Sequence, residues 1–295
     1  MKKIGMIGLG TMGLPMAKNL LAKSGLTVVG YDVHESKMEL FRQAGGITED
    51  SIIDIAKVCQ FIFLSLSSNA SVDGAIRTIL QNAREGTIII DLSSTAPRIL
   101  QELYPMACAA GVQLLDSPVS GGERAAIAGE LVLMCGGDSE AVEAVRELLC
   151  CIGRRVTYMG PIGSGNIAKL ANNMIVGCNI IAMGEAFAFA QKAGIDPTVL
   201  FAAIKDGYAA STVLNEKAPK IITRDFRPSA KTILHQKDLR NAAELADSMG
   251  VEIPFAALAL EYMEQMAARN LGNEDHCACI KIIEERMGVV ISGGK

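Results

Sequence analysis

The sequence predicts an α/β domain over residues 1–162, followed by an all-α domain over residues 163–292, with a long helix between the two. Three observations carry this. Short apolar runs rich in Val and Ile alternate with helical spacing as far as about residue 160. Beyond Ser164 such runs disappear, and only helix-period segments broken by Gly and Pro remain. At the junction lies Gly160-Pro-Ile-Gly-Ser-Gly-Asn-Ile-Ala-Lys-Leu-Ala-Asn-Asn173, a glycine turn feeding into an apolar helix. In it Lys169 is the only charge between Tyr158 and Glu185.

The first strand is expected at residues 3–9. Gly8-Leu9-Gly10-Thr11-Met12-Gly13 then opens a helix from Leu14 to Lys23, and a second strand, Thr27–Tyr31, ends at Asp32. This is a G-x-G-x-x-G fingerprint in its proper strand–turn–helix setting, so the domain reads as Rossmann-type and dinucleotide-binding. Gly8 makes the tight turn, Gly10 lets a pyrophosphate approach the backbone, and Gly13 lets helix and strand pack closely. The N–H groups at the helix start receive the anion. Asp32 suits a pair of ribose hydroxyls and repels a 2′-phosphate, so NAD(H) is expected in preference to NADP(H), with Lys37 or His34 as partial offsets.

Further strands are expected at Phe61–Ser65, followed by Ser67-Ser68-Asn69, and at Thr87–Asp91, followed by Leu92-Ser93-Ser94-Thr95-Ala96-Pro97. Both carboxyl ends lie where open parallel sheets hold ligands, which makes Ser94 a cofactor-binding candidate. Ser93 to Thr95 before Pro97 also read as a helix-cap cluster. A strand ending at Asp116 leads to Ser120-Gly121-Gly122, read as a glycine-rich loop whose N–H groups and hydroxyl suit a small carboxylate. Leu131–Gly137, a helix capped by Asp138, and Arg155–Tyr158 complete the sheet.

Ser164–Lys192 reads as one helix, apolar on nearly all faces and therefore expected to be covered by its own domain and a second subunit. Asp196-Pro197 starts the next helix. Segments 196–206, 235–249, 254–269 and 275–287 show helical spacing, with breaks at Gly207, Pro219, Pro228, Gly250, Pro254 and Gly272. Ser292–Lys295 reads as a disordered tail.

Composition bounds the partners. A net charge of −4, a pI near 5.5 and no basic block argue against nucleic acid. Eight cysteines without a Cys-x-x-Cys pair suggest reduced thiols in a cytoplasmic protein. His276-Cys277-Ala278-Cys279 would point in different directions on a helix, so no metal is expected. The apolar run after Met1-Lys2-Lys3 is broken by Gly5, Gly8, Gly10, Gly13 and Pro15, which suits a strand and phosphate loop better than a secretory leader. No uninterrupted apolar span of ~18 residues occurs, so no membrane partner is expected.

The chemistry follows from the juxtaposition. A nucleotide domain followed by a helical one makes a cleft, with the Lys169 turn at the hinge. Hydride transfer at a carbon bearing oxygen needs a proton partner, and a lysine in a partly dry site can serve. Asn172 and Asn173 follow Lys169 at helical spacing and could orient its ammonium group or the substrate oxygen.

Four stretches together resemble the β-hydroxyacid dehydrogenase family over nearly the whole chain. They are Gly8-Leu-Gly-Thr-Met-Gly-Leu-Pro-Met-Ala17, Asp116-Ser-Pro-Val-Ser-Gly-Gly122, Gly163-x-Gly165-x-x-x-Lys169-x-x-Asn172-Asn173 and Lys237-Asp238-Leu239. The resemblance implies Lys169 as the catalytic residue, with Ser120, Gly121, Gly122 and Asn173 in the substrate site. It places Lys237 beside both nicotinamide and substrate, and Leu66 and Ser94 along the cofactor pocket. It implies a small carboxylate substrate and a homodimer or homotetramer. Gly121–Gly129, Ser211–Leu214, Lys217-Ala-Pro219 and Asp275-His276 look most like the family branch that reduces tartronate semialdehyde to D-glycerate. The ending Gly288–Gly294 resembles the branch acting on 2-(hydroxymethyl)glutarate, and 3-hydroxyisobutyrate is a further alternative. Departures from the family pattern are Leu66-Ser67 for Leu-Pro, Gly129-Glu130-Leu131 for Gly-Thr-Leu, and Asp116-Ser117-Pro118 for Asp-Ala-Pro. A decarboxylating relative of the phosphogluconate type would need a much larger helical domain, and a non-catalytic scaffold would be expected to have replaced Lys169.

Overall fold

The computed structural model describes residues 2–293. The chain divides into two compact units, Met1–Lys169 and Leu170–Lys295, and the division falls inside a single helix.

The first unit is built on one nine-stranded sheet. Its strands are β1 (Lys3–Ile7), β2 (Thr27–Tyr31), β3 (Ile47–Thr48), β4 (Phe61–Leu64), β5 (Ile88–Asp91), β6 (Gln113–Asp116), β7 (Val119–Ser120), β8 (Leu131–Gly136) and β9 (Gly153–Gly160). The order is β3-β2-β1-β4-β5-β6-β8-β7, with β9 beside β8. Strands β1 to β6 pair in parallel; β8 runs antiparallel to β6 and β7, and β9 returns parallel to β8. The helices are α1 (Gly13–Lys23), α2 (Glu35–Gln43), α3 (Ile52–Val58), α4 (Asn69–Leu80), α5 (Pro97–Ala109), α6 (Gly122–Ala128) and α7 (Ser139–Ile152).

Side chains alternate across the pleat. Ile4, Met6, Phe61, Phe63, Ile88 and Ile90 pack with residues of α1, α2, α6 and α7. Ile7, Ile62, Leu64, Ile89 and Leu114 pack with α3, α4 and α5 on the opposite face. Both faces are covered, so these strands read as continuous apolar runs rather than alternating ones.

Helix α8 (Ser164–Lys192) starts in the first unit and continues into the second, which adds α9 (Pro197–Ile204), α10 (Thr212–Ile222), α11 (Thr232–Met249), α12 (Pro254–Ala268), a 3₁₀ turn (His276–Cys279) and α13 (Ile280–Met287). Ile180, Phe187, Met263, Met266, Ile280 and Ile283 lie in its core. A Cβ on Gly184 would stand 2.4 Å from Ile280 Cγ2, so α8 and α13 can meet this closely only with glycine there. The Lys217 ammonium and the fully buried Asp275 form an ion pair at 3.0 Å.

Several expectations are corrected. Helix α10 was hidden by Pro219. Ser211 caps its start by accepting from the Leu214 N–H, and packing on Leu214, Ala218 and Ile221 offsets the hydrogen bond the proline removes. Ser93 and Thr95 are not caps: the residue preceding α5 is Ala96, with no side-chain cap. Ser120-Gly121-Gly122 is not a free loop, since Ser120 ends β7 and Gly122 starts α6. On the long helix, Ile175 is 63% and Phe189 69% exposed in the single chain, which leaves its expected cover by a second subunit untested. The tail is ordered as far as it is described. Ile291 is buried, the Ser292 N–H donates to Gln191 Oε1 at 3.1 Å, and the Gly293 N–H donates to Ile222 O at 3.3 Å. Gly294 and Lys295 lie outside the described residues.

Candidate active site

The fingerprint glycines have three different surroundings. Gly8 has φ +92°, and a Cβ there would stand 2.3 Å from Ser65 O. A Cβ on Gly13 would stand 1.9 Å from Gly8 O, which glycine alone avoids. Among the described residues Gly10 has nothing within 4 Å of its Cβ position, so the space above it is open to a ligand's approach. Leu9 is buried, Met12 half-buried and Thr11 exposed. Asp32, at the end of β2, accepts the Leu9 N–H at 2.7 Å through Oδ2 and the His34 N–H at 2.9 Å through Oδ1. The carboxylate is therefore aimed by the phosphate loop that it braces.

The loops after β4 and β5 are joined beneath the surface. Ser93 Oγ accepts the Leu66 N–H at 2.9 Å, and the Ser93 N–H donates to Asp91 Oδ1 at 3.0 Å. Thr95 Oγ1 donates to Asp91 Oδ2 at 2.6 Å. Leu66 and Ser94 themselves are half-buried, whereas Asp91, Ser93 and Thr95 are buried. Asp116, the register partner of Asp91 on the adjacent strand, accepts the Gly163 N–H at 2.8 Å and the Asn166 N–H at 2.7 Å. A buried carboxylate thus takes N–H groups that the first turn of α8 leaves without partners inside the helix. Burial pushes the Asp91 carboxyl up to about 6, although hydrogen bonds from Thr95 and Ser93 oppose it. Burial also raises Asp116, against the backbone N–H groups of Asn166 and Gly163.

Ser120 is half-buried, and Gly121 and Gly122 are exposed with φ +132° and +68°. The two glycines turn the chain from β7 into α6 with their N–H groups at a helix start. Glu130, a departure from the family pattern, is exposed. Lys169 is half-buried in the second turn of α8.

The asparagines that follow on the same helix belong to the second unit and are already engaged. Asn172 Nδ2 donates to Asn173 Oδ1 at 3.0 Å, and Asn173 Nδ2 donates to Asp238 Oδ2 at 2.6 Å. Asp238 Oδ1 lies 3.1 Å from Lys237 Nζ. Asp238 therefore joins two candidates, Asn173 and Lys237, that are far apart in sequence. The Asn173 carbonyl, which can only accept, lies 2.9 Å from His235 Nε2, so that nitrogen carries a proton. In a neutral His235 the Nδ1 then accepts from His276 Nδ1, 2.8 Å away. Gly177 stands where the ring approaches the helix, and a Cβ there would be 3.5 Å from His235 Nε2.

Ser94, Lys169 and Asn173 are legible in the sequence as site candidates; the bonds of Asp238 and His235 to Asn173, and the Asp91, Ser93, Thr95 and Asn166 network beside Ser94, are not. The legible signal was a carboxylate closing each of two apolar strands. Among the described residues, no group of three or more His, Cys, Asp or Glu comes together as a metal site.

The open space at Gly10, the tight packing at Gly8 and Gly13 and the aimed Asp32 carboxylate fit a dinucleotide. Fold and site together define a Rossmann-type dinucleotide-binding protein. Residues 3–160 match the family model of the NAD-binding domain of 6-phosphogluconate dehydrogenase. Residues 163–283 match that of NADP-dependent 3-hydroxyisobutyrate dehydrogenase. The chain is 34% identical to 2-(hydroxymethyl)glutarate dehydrogenase of Eubacterium barkeri, over 99% of this chain and 98% of that protein. It is also 34% identical to 2-hydroxy-3-oxopropionate reductase of Escherichia coli, over 96% and 97%. Among solved structures, 3-hydroxyisobutyrate dehydrogenase of Mycobacterium tuberculosis with L-serine superposes with a TM-score of 0.88 at 28% identity, covering 96% of this chain and 99% of that one. The chain belongs to the β-hydroxyacid dehydrogenase family and is a hydroxyacid dehydrogenase using a nicotinamide cofactor.

Proposed function

We propose that this enzyme reduces tartronate semialdehyde to D-glycerate with NADH. The observation that carries the reaction type is Lys169: a half-buried lysine in an otherwise apolar stretch of α8, whose first turn is tied to the sheet by Asp116. The Gly8–Gly13 loop, Leu66 and Ser94 would hold the cofactor, and Asp32 the ribose hydroxyls. The bound nicotinamide supplies hydride to the substrate carbon. Ser120 Oγ and the N–H groups of Gly121 and Gly122 receive the substrate carboxylate. The Lys169 ammonium gives a proton to the aldehyde oxygen as negative charge develops there, and solvent restores it. Asn172, Asn173 and Lys237 orient the substrate.

The tartronate semialdehyde reading rests on the resemblance of Gly121–Gly129 and Ser211–Leu214, and the similarity to the Escherichia coli reductase supports it. A second reading, 2-(hydroxymethyl)glutarate, is favoured by the Gly288–Gly294 ending and by the Eubacterium barkeri relative. The Asp32 carboxylate favours NAD(H) over NADP(H). The exposed Ile175 and Phe189 on α8 suit a homodimer or homotetramer, and eight free cysteines suit a reducing cytoplasm.

The test is an initial-rate panel with NADH and NADPH. It sets tartronate semialdehyde against methylmalonate semialdehyde, succinate semialdehyde and glyoxylate, with glycerate, 3-hydroxyisobutyrate and 2-(hydroxymethyl)glutarate in reverse. The highest kcat/KM on a substrate other than tartronate semialdehyde or glycerate overturns the substrate reading. In the same assay Lys169→Ala is expected to keep NADH binding and lose about 10²–10⁴ in turnover. Near-normal turnover in that variant overturns the mechanism.

A further inference from the structure

Asn166 lies three residues before Lys169, in the first turn of α8, and is wholly buried. It makes two long-range connections. Its backbone N–H donates to Asp116 Oδ2 at 2.7 Å. Its side-chain Oδ1 accepts the Thr95 N–H at 2.9 Å. The second bond also settles the amide orientation, because a flipped amide would set N–H against N–H. Among the described residues, Asn166 Nδ2 is buried with no hydrogen-bond partner.

The chain of bonds can be followed from one end to the other: Leu66 N–H to Ser93, Ser93 N–H and Thr95 hydroxyl to Asp91, Thr95 N–H to Asn166, Asn166 N–H to Asp116, and Gly163 N–H to Asp116. Every side chain that bonds in it is at most 6% exposed. The half-buried Ser94 stands between Ser93 and Thr95, both pinned from below. Thr95 is a point at which the Ser94 loop meets the lysine helix, and Asn166 is a side chain that joins them.

We propose that Asn166 is a positioning residue: it fixes the loop carrying Ser94 relative to the helix turn carrying Lys169, and so sets the reach of the lysine for a substrate held above that loop. This rests on the reading of Lys169 as proton donor. A misplacement of a reacting group by about 1 Å can cost about 10²-fold in rate. A clip of this kind should therefore act on turnover more than on binding.

The test compares Asn166→Leu, close in shape but without the acceptor, with Asn166→Asp, which keeps it. Both are assayed as full-length enzyme against wild type and Lys169→Ala, with folded fraction taken from circular dichroism and NADH affinity from fluorescence titration. Asn166→Leu is expected to lose about 10–100-fold in kcat, with NADH Kd and substrate KM changed less than about threefold. Asn166→Asp places a further carboxyl in a buried network that already holds Asp91 and Asp116, where burial and like charge favour the neutral acid. Its turnover is therefore expected to approach wild type near pH 6 and to fall toward the Leu variant by pH 8. If the Leu variant does not fold, this pH profile carries the test. The proposal is overturned if folded Asn166→Leu retains kcat within about threefold, if its loss lies wholly in NADH affinity, or if Asn166→Asp follows the wild-type pH profile. Unimpaired Lys169→Ala would remove the underlying reading instead, and the two failures are distinguishable in one experiment.

Discussion

Replacing Asp91 by Asn removes a wholly buried charge while keeping its partners. The amide oxygen can still accept the Ser93 N–H. The amide nitrogen, in place of Oδ2, donates to Thr95 Oγ1, whose hydroxyl need only rotate. In the folded protein the Asp91 carboxyl is raised from 3.8 to about 6, about two pKa units, which corresponds to about 3 kcal/mol favouring the neutral acid. Between those pH values the folded state binds more protons at this group than the unfolded state does. The contribution is thus fully present below pH 3.8 and lost as pH rises through about 6. Asp91→Asn should match wild type near pH 4 and exceed it by up to about 3 kcal/mol at pH 7.5. The assay is urea unfolding followed by circular dichroism at pH steps between those limits, with equal m-values required of both proteins. A variant less stable than wild type at pH 7.5, or a difference that does not vary with pH, would refute the reasoning. It would mean that the Ser93 and Thr95 hydrogen bonds, rather than desolvation, decide the state of this carboxyl.

Gly10→Ala should fold normally and weaken NADH binding at least about tenfold, because its Cβ meets only open space, whereas Gly13→Ala should lower the melting temperature outright. Calorimetry with and without NADH separates the two. Lys217→Met leaves Asp275 buried without its lysine and should cost about 3–5 kcal/mol in urea unfolding, with little change in NADH affinity. Asp32→Arg should move kcat/KM preference from NADH toward NADPH; a wild type that already prefers NADPH contradicts the role given to this carboxylate.

Most of the sheet was readable because strands buried on both faces are apolar without interruption, and the glycine fingerprint lies in its proper setting between strand and helix. The bounds of α8 were readable because Gly163 precedes it and Gly194 follows. What escaped reading was set by tertiary context. Pro219 signals a helix end locally, yet packing on Leu214 and Ile221 carries α10 through it. Ser93 and Thr95 carry hydroxyls that cap helices elsewhere; only the fold shows Asp91 within reach of both. Lys169 could be singled out because a lone charge in an apolar helix is conspicuous. Asn166 could not, since a buried amide beside a glycine turn looks like any other polar residue there. Asp238 was visible in the Lys237-Asp238-Leu239 stretch, but its bond to Asn173 crosses 65 residues.

His235 approaches the Asn173 carbonyl where α8 carries a residue with no side chain, Gly177. A methyl group at Gly177 would come within 3.3 Å of Leu239, 3.4 Å of Ala259 and 3.5 Å of the His235 ring. Only the Leu239 contact is tighter than ordinary packing, so substitutions at 177 and 239 should be epistatic, a side chain at 177 being tolerated best with a smaller residue at 239. A library meant to reshape substrate preference through α8 or α11 has to vary these two positions jointly, because scanning them singly would discard the combinations that keep the two helices packed.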